Sequence, residues 1–522
     1  MCCYVLFAAV AFAGCGADKN TAVSRSNEMT AEKMALKDAQ AKNVWNIFRQ
    51  INRIPRCSKN ESQIIEWLRS FAQSHNLACR TDSVGNTVIE LPPTKGLENA
   101  PAAGGEHCRT VVLQSHVDMV CEKTPDSKHD FAVEMIDVIE RDGWVCADGT
   151  TLGADNGIGV AMALALIEQK LPHPRLELLF TVDEETGLTG ANALQRGFIT
   201  GKYFINLDGE DDSFIIGCAG GERTEITLPL DLVDPPAGLD CYALKVSGLL
   251  GGHSGIDIDK NRANAVALLA RALSRLNCKF DLKISSIDAG RTPNAIPRDA
   301  NAVILLNPSD LVKIRKMTAD MESSFKKEFA AAEPNLKVEL IKAAEDTEKK
   351  IINHKSKIIN LLSALPTGVY RMSDEFKGTV ETSCNLARVE TDLNGKLLRI
   401  TTSQRSFEPS SMEDITAKIT SIANLAGADV NTLGRYPSWR PDPDSSLLKQ
   451  AKETYKLLHK KEPQVKVVHA GLECAVVGEK FPDIEMLCLG PTIENPHSPR
   501  ERVNIASVDN AWKFLLALLP SL

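Results

Sequence analysis

The residues best placed to do chemistry lie at the ends of apolar runs. His116 and Asp118 stand two apart in Gln114-Ser115-His116-Val117-Asp118. On a strand such a pair shares a face, so the carboxylate can receive one imidazole N–H and aim the other ring nitrogen at a cation. Asp155 sits among glycines in Gly153-Ala154-Asp155-Asn156-Gly157, just ahead of an apolar helical run, where backbone can approach a ligand closely. Glu184 and Glu185 follow the run Leu176–Val182. Adjacent acids in a cleft raise each other's pKa, a conflict resolved by a metal that takes one as ligand and leaves the other to shuttle protons. Asp208 closes another such run, and His497 is flanked by Pro496 and Ser498-Pro499, which restrict its direction. Singly, these read as a surface coincidence, an Asx turn capping a helix and a solvated acidic loop. Jointly they converge on the carboxyl edge of one sheet, where α/β proteins build their sites. Imidazole and carboxylate without thiolate favour a hydrolytic zinc or manganese centre, and a shared carboxylate allows two ions about 3.5 Å apart.

The elements that must carry these residues are legible as alternating patterns. Val44, Ile47, Phe48 and Ile51 form one helical stripe, and Ile64, Trp67, Leu68 and Phe71 a second, announced by Ser58 and Glu61 as a capping box. Strands are expected at Thr110–Gln114, Leu176–Val182, Tyr203–Leu207 and Glu485–Leu489, and a helix over Ile158–Leu171. Ser507 offers an N-cap to a closing helix with Trp512, Phe514, Leu515 and Leu518. Beyond Asp234-Pro235-Pro236 the pattern changes, with fewer long apolar strands, short alternating strands such as Leu398–Thr402 and a polar, helix-like stretch at Ile341–Lys350. The expected fold is α/β: a catalytic α/β sheet domain with a large inserted α+β lid domain. The boundaries read as a leading segment 1–35, a first catalytic segment 36–221, the lid 222–432 and a second catalytic segment 433–522.

The chain has 522 residues, 60 Lys+Arg against 68 Asp+Glu and a net charge of −8, which argues against a basic nucleic-acid binder. Fourteen cysteines form no C-x-x-C pair, so they read as mostly buried thiols and neither as a zinc ribbon nor as a disulfide scaffold. Residues 4–14 make an apolar run too short to span a bilayer, and Phe12-Ala13-Gly14-Cys15 resembles a lipobox, although no Lys or Arg precedes it. Two localisations follow: a cytoplasmic enzyme with an overlong start, or an exported lipoprotein anchored through Cys15.

His116-x-Asp118, LGADNG, DEETG, NLDGE, GGHSG, RTPNAIP, HAGLEC and GPTIENPHSP, in this order over nearly the whole chain, resemble the aminoacyl-histidine (Xaa-His) dipeptidases, a branch of the co-catalytic zinc peptidases. The resemblance implies that Asp155 bridges two divalent metal ions, zinc first, with manganese or cobalt as substitutes. It implies His116 and Asp208 as further ligands of one ion and Glu185 and His497 of the other. Glu184 would be the general base for water held between the ions, and Asp118 would orient His116. A cis peptide is implied after Asp155, and His253 in the lid as an oxyanion donor. Asn294 and Arg405 would bind the substrate's C-terminal carboxylate and backbone, and Gly471 would let substrate backbone pass. His469 and Glu473 would line the pocket or pack in the core. The other histidines, 75, 107, 129, 173, 354 and 459, read as surface residues.

The implied function is a two-metal dipeptidase acting on small peptides. A deacylase of N-acyl amino acids with the same metal core is an alternative, as is a metal-dependent binding protein without catalysis, against which the presence of Glu184 argues. A lid of doubled size is compatible with a monomer, and a homodimer stays open.

Overall fold

The computed structural model describes residues 41–95, 97, 110–169, 172–343 and 350–522. The lipobox-like segment with Cys15 lies outside them, as does His107. No helix among the described residues is long and apolar enough to cross a membrane.

The first sheet has eight strands, β1 (Ala78–Thr81), β2 (Thr87–Leu91), β3 (Val111–His116), β4 (Leu176–Thr181), β5 (Tyr203–Asn206), β6 (Phe214–Cys218), β7 (Val465–Val468) and β8 (Glu485–Cys488). Their spatial order is β1-β2-β4-β3-β5-β8-β6-β7. The central strand β3 runs parallel to β4 and β5, and β5 runs parallel to β8, so all four carboxyl ends reach one edge. β3, β4 and β5 are buried along their whole length, as their unbroken apolar runs require. Helix α1 (Lys42–Ile51) buries its stripe Val44, Ile47, Phe48 and Ile51. α2 (Ser62–Ser74), α3 (Ala154–Ala165), α4 (Glu473–Lys480) and α5 (Ile505–Leu518) also pack in this half, as does the helix Ser446–His459.

The second sheet is built from chain between Gly220 and Tyr436 and is antiparallel throughout. The alternating strand expected at Leu398–Thr402 is present but longer, Leu397–Ser406 with 10 residues, and Val380–Asp392 and Gly220–Pro229 run to 13 and 10, so the strands here are not short. Their apolar residues alternate with polar ones because helices cover a face, which hides them from a search for continuous apolar runs. Ala265–Asn277, Leu311–Glu328, Lys355–Ala364 and Pro409–Leu425 are the main helices packed on this sheet, around a core of their own. The two chain crossings between the sheets lie together, where Cys218 bridges Trp439.

Several local expectations change. Ser58 is not an N-cap: Glu61 precedes α2, while the Ser58 hydroxyl donates to Asp118 Oδ2 at 2.8 Å. Asn504, not Ser507, caps α5, accepting from Ser507 N at 2.9 Å. The helix expected over Ile158–Leu171 starts at Ala154 and gives way to a 3-10 turn at Leu166–Glu168. Ile341 belongs to the strand Lys337–Lys342, and residues 344–349 lie outside the described set. Two cysteines are paired, Cys57 with Cys121, against the reading of buried thiols. His173 is buried, with Nδ1 on its neighbour Pro174 O at 2.8 Å, so it is no surface residue.

Candidate active site

The carboxyl edge of the first sheet gathers the residues picked out by type. His116 ends β3, Glu184 and Glu185 follow β4, Asp208 follows β5, and His497 follows β8 by nine residues. Asp155 opens α3 after Gly153, whose φ of +68° puts it in the left-handed region. A Cβ on Gly153 would lie 2.4 Å from Arg56 Nη2 and 2.7 Å from Met119 Sδ, so glycine is required there on two counts. The Asp155–Asn156 peptide is cis.

Asp155 stands at the centre. Its Oδ1 is 3.0 Å from His116 Nε2 and its Oδ2 is 3.0 Å from His497 Nε2, so each oxygen faces a different imidazole. Asp208 Oδ1 lies 3.4 Å from His116 Nε2, and Glu185 Oε2 lies 3.0 Å from His497 Nε2. Two trios result, His116/Asp155/Asp208 and Asp155/Glu185/His497, each with its ligand atoms within 4.8 Å of one another and both sharing Asp155. His116 Nδ1 faces Asp118 Oδ1 at 3.3 Å. Asp118 in turn accepts from Glu184 N at 3.1 Å and Glu185 N at 3.3 Å, linking the ring to the next acidic segment.

The electrostatics describe a site for cations. Burial and neighbouring acids push Glu184 well above the usual carboxylate range and Glu185 up to about 7. Burial opposes charge on His497, but hydrogen bonds to Asp155 and Glu185 raise it to about 11. Glu185 Oε1 is buried with no hydrogen-bond partner among the described residues. Four acids crowd two imidazoles, leaving a surplus of negative charge and an orphaned oxygen that bound divalent ions would neutralise. The donor set is imidazole and carboxylate with no thiolate, as catalytic rather than structural zinc sites use. A further acidic trio, Glu61, Asp118 and Asp183, is internally satisfied: Glu61 accepts from Lys59 N and Asp183 N, and Asp183 from Thr186 and Thr189.

The second sheet presents its own groups to this edge. Gly252–His253 pairs with Ala295–Ile296, and Ser254 N donates to Asn294 O at 2.8 Å, which brings His253 and Asn294 side by side. His253 Nδ1 accepts from Gly255 N at 3.3 Å and Ile256 N at 3.1 Å. Two donors on Nδ1 leave Nε2, 3.5 Å from Arg405 Nη2, to carry the neutral ring's proton. Burial and the Arg405 cation hold His253 down to about 4, so the ring is neutral at ordinary pH. Arg405 is buried and donates to Tyr436 Oη at 2.8 Å, and a Cβ on Gly471 would meet the Tyr436 ring at 2.8 Å. His469 Nε2 is 2.8 Å from Ser383 Oγ, tying the HAGLEC loop to a strand of the second sheet.

The sequence pattern of Peptidase family M20/M25/M40 matches residues 112–521. The chain belongs to this family. It is similar to the cytosol non-specific dipeptidase of Escherichia coli (strain K12), 38% identical over 479 residues, covering 91% of this chain and 96% of that protein. The crystal structure of aminoacylhistidine dipeptidase from Vibrio alginolyticus superposes with a TM-score of 0.78 at 35% identity, covering 93% of this chain and 98% of that one. The aminopeptidase PepT of Bacillus cereus shares the fold, with a TM-score of 0.52 at 18% identity over 92% and 98% of the two chains.

Four residues of this M20 peptidase escaped the sequence reading. Glu501 is buried and accepts from Leu152 N, Gly153 N, Ala154 N and Asp155 N at 2.7, 2.9, 2.7 and 3.2 Å, holding the loop that presents Asp155. Arg56 is buried and donates to Val117 O at 3.0 Å, Asp118 O at 3.2 Å and Gly153 O at 2.6 Å, tying the end of β3 to that loop. Gln114 bridges Asn206 and Glu473 beneath the site, and Tyr436 carries Arg405. Only Gln114 had a usable signal, a polar residue two before His116 inside a buried strand. Glu473, read as pocket or core, is fully buried and also accepts from Thr181 at 2.7 Å.

Proposed function

We propose that this peptidase hydrolyses dipeptides, Xaa-His among them, with two divalent ions, zinc first, held by His116, Asp155 and Asp208 and by Asp155, Glu185 and His497. The observation that carries the reading is the pair of ligand trios joined at Asp155 with Glu184 beside them. Its family membership and its similarity to two dipeptidases support the substrate class. Bound ions would supply Lewis-acid polarisation of the scissile carbonyl and a lowered pKa for water.

The chain's own groups do the rest. Glu184 has no hydrogen-bonded side-chain partner among the described residues, and its burial-raised pKa suits it to take a proton from the attacking water and return it to the leaving amine. Asp118 holds both the His116 ring and the Glu184 and Glu185 backbone, so base and ligands keep one geometry. His253 Nε2–H is the donor for the developing oxyanion, coming from the lid segment of roughly 222–432. Arg405, steadied by Tyr436, and Asn294 receive the substrate's C-terminal carboxylate, and Gly471 leaves room for Tyr436.

The test is hydrolysis of a panel of Xaa-His and other dipeptides by metal-reconstituted protein, with N-acyl amino acids as control. Free dipeptides are turned over, and Glu184→Gln loses about 10²- to 10⁴-fold in kcat with both metals retained. Turnover of N-acyl amino acids alone would make the chain a deacylase, and undiminished activity of Glu184→Gln would remove the assigned base.

A further inference from the structure

The segment that supports the metal edge is closed by a covalent bond. Cys57 and Cys121 are joined, with their Cα atoms 5.7 Å apart. Cys57 lies between Arg56 and Ser58, and both of these bear on the ligands. The Arg56 guanidinium donates to Val117 O, Asp118 O and Gly153 O, and the Ser58 hydroxyl donates to Asp118 Oδ2 at 2.8 Å. Cys121 follows Asp118 by three residues. Asp118 itself faces His116 Nδ1 at 3.3 Å and accepts from Glu184 N and Glu185 N. Further along the same segment, Glu61 Oε1 accepts from Asp183 N at 3.1 Å. Residues 56–61 therefore touch the chain after β3, the chain after β4 and the loop that presents Asp155.

Apart from those side-chain contacts, two backbone bonds hold the segment against the chain after β3. Met119 N donates to Arg56 O at 3.1 Å, and Ser58 N to Met119 O at 3.4 Å. Lys59 and Asn60 are exposed, as is most of 122–135, so both sides of this tie border solvent. A tie of so few backbone bonds at a solvent edge belongs to the part of a fold that opens locally at low cost, and the disulfide is what prevents that opening. Its sulfurs belong to half-buried residues, whereas the thiols of Cys218, Cys384, Cys474 and Cys488 are buried. A dithiol reductant can therefore reach the bond. One of its thiolates displaces a cysteine sulfur to form a mixed disulfide, and its second thiol then displaces the other partner. Cys57 and Cys121 are left as two thiols and the reductant as a disulfide, with two electrons and two protons transferred.

We propose, resting on the two-metal reading, that the Cys57–Cys121 bond is a redox-reversible clasp on the metal edge. With the bond closed, Arg56 and Ser58 hold Asp118 and the Gly153 loop in place for the ligands. With it open, the fold persists and the metals are held less tightly. The experiment compares oxidised wild type, the same protein reduced with dithiothreitol and freed of it, the reduced protein reoxidised, and Cys57→Ser with Cys121→Ser. Zinc affinity is measured by competition with a chromogenic chelator, local opening by deuterium uptake, and the fold by circular dichroism. Reduced wild type and the double variant keep the oxidised spectrum and take up deuterium faster at 57–61 and 117–122. Both bind zinc about 10- to 100-fold more weakly, the loss typical when the groups that orient metal ligands are disturbed. Reoxidation restores the wild type, and the double variant is indifferent to dithiothreitol. Zinc affinity that does not fall on reduction, a double variant that binds like oxidised wild type, or a loss that reoxidation does not restore would each overturn the clasp. So would unfolding on reduction, which would make the bond a staple of the whole fold. An oxidised wild type that holds no divalent ion would overturn the two-metal reading and the clasp with it, whereas tight zinc binding that ignores the bond overturns the clasp alone.

Discussion

At the scale of single residues, groups that touch the reaction and groups that hold them separate by what their loss should disturb. Glu501 satisfies a run of buried N–H groups with one carboxylate, so Glu501→Ala leaves those donors unpaired in the interior. The expected result is a destabilisation of at least about 3 kcal/mol, together with weaker metal retention, read by thermal unfolding and by metal titration. His253 makes the opposite prediction. Its ring accepts from backbone of its own loop through Nδ1 and has one long side-chain contact, Nε2 to Arg405 Nη2 at 3.5 Å, so His253→Ala should leave the melting temperature and metal content near wild type. The loss falls on kcat, about 10²- to 10³-fold, the size expected for one oxyanion donor, with KM little changed. A large drop in metal content for His253→Ala would place it among the structural groups instead.

At the scale of elements, the metal edge is held by ties between segments far apart in sequence. Cys57 and Cys121 close a loop across 64 residues, joining the chain after α1 to the chain after β3, directly beside Arg56 and Asp118. A cross-link of that span removes enough unfolded-state entropy to contribute about 4 kcal/mol in the chain-entropy model. Reduction, or Cys57→Ser with Cys121→Ser, should lower the denaturation midpoint accordingly. A midpoint that does not move would show the bond to be incidental. These ties mark what the sequence could and could not reveal. α1, β3, β4, β5 and β8 were legible because each buries a continuous or helically spaced apolar face, and their ends carried His116, Glu184, Glu185 and Asp208 with them. Glu501, Arg56 and the disulfide were not, because their partners lie 346 to 349, 61 to 97 and 64 residues away, and no local period encodes a long-range hydrogen bond. Of the long lid strands only the piece Leu398–Thr402 was legible, because they alternate buried and exposed residues, as in Gly220–Pro229, and carry no continuous apolar run.

At the scale of the whole molecule, the lid and the catalytic sheet meet within one chain. Gly255 packs against the His469 carbonyl, His469 reaches Ser383, and Arg405 lies beside both His253 and His469. Groups that the mechanism draws from the lid are therefore supplied in cis, and specific activity per chain should stay constant on dilution through any dimer dissociation; a steep fall would mean that a second chain completes the site. The same junction sets a pH response. Burial first, then Arg405 and His253, hold His469 down to about 3, against about 6.5 for an unfolded histidine. Between these values the unfolded chain binds a proton that the folded chain refuses, so this contribution to stability is complete above about pH 6.5 and is lost as pH falls toward 3. The slope from this one group approaches about 1.4 kcal/mol per pH unit. His469→Asn keeps a polar group for Ser383 and removes the titration. Metal ligands titrate in both proteins, so the difference between the two urea-unfolding profiles isolates His469. The profile of His469→Asn should be shallower between pH 4 and 6 and parallel to wild type above pH 7; parallel curves throughout would mean that His469 is free to protonate in the folded chain.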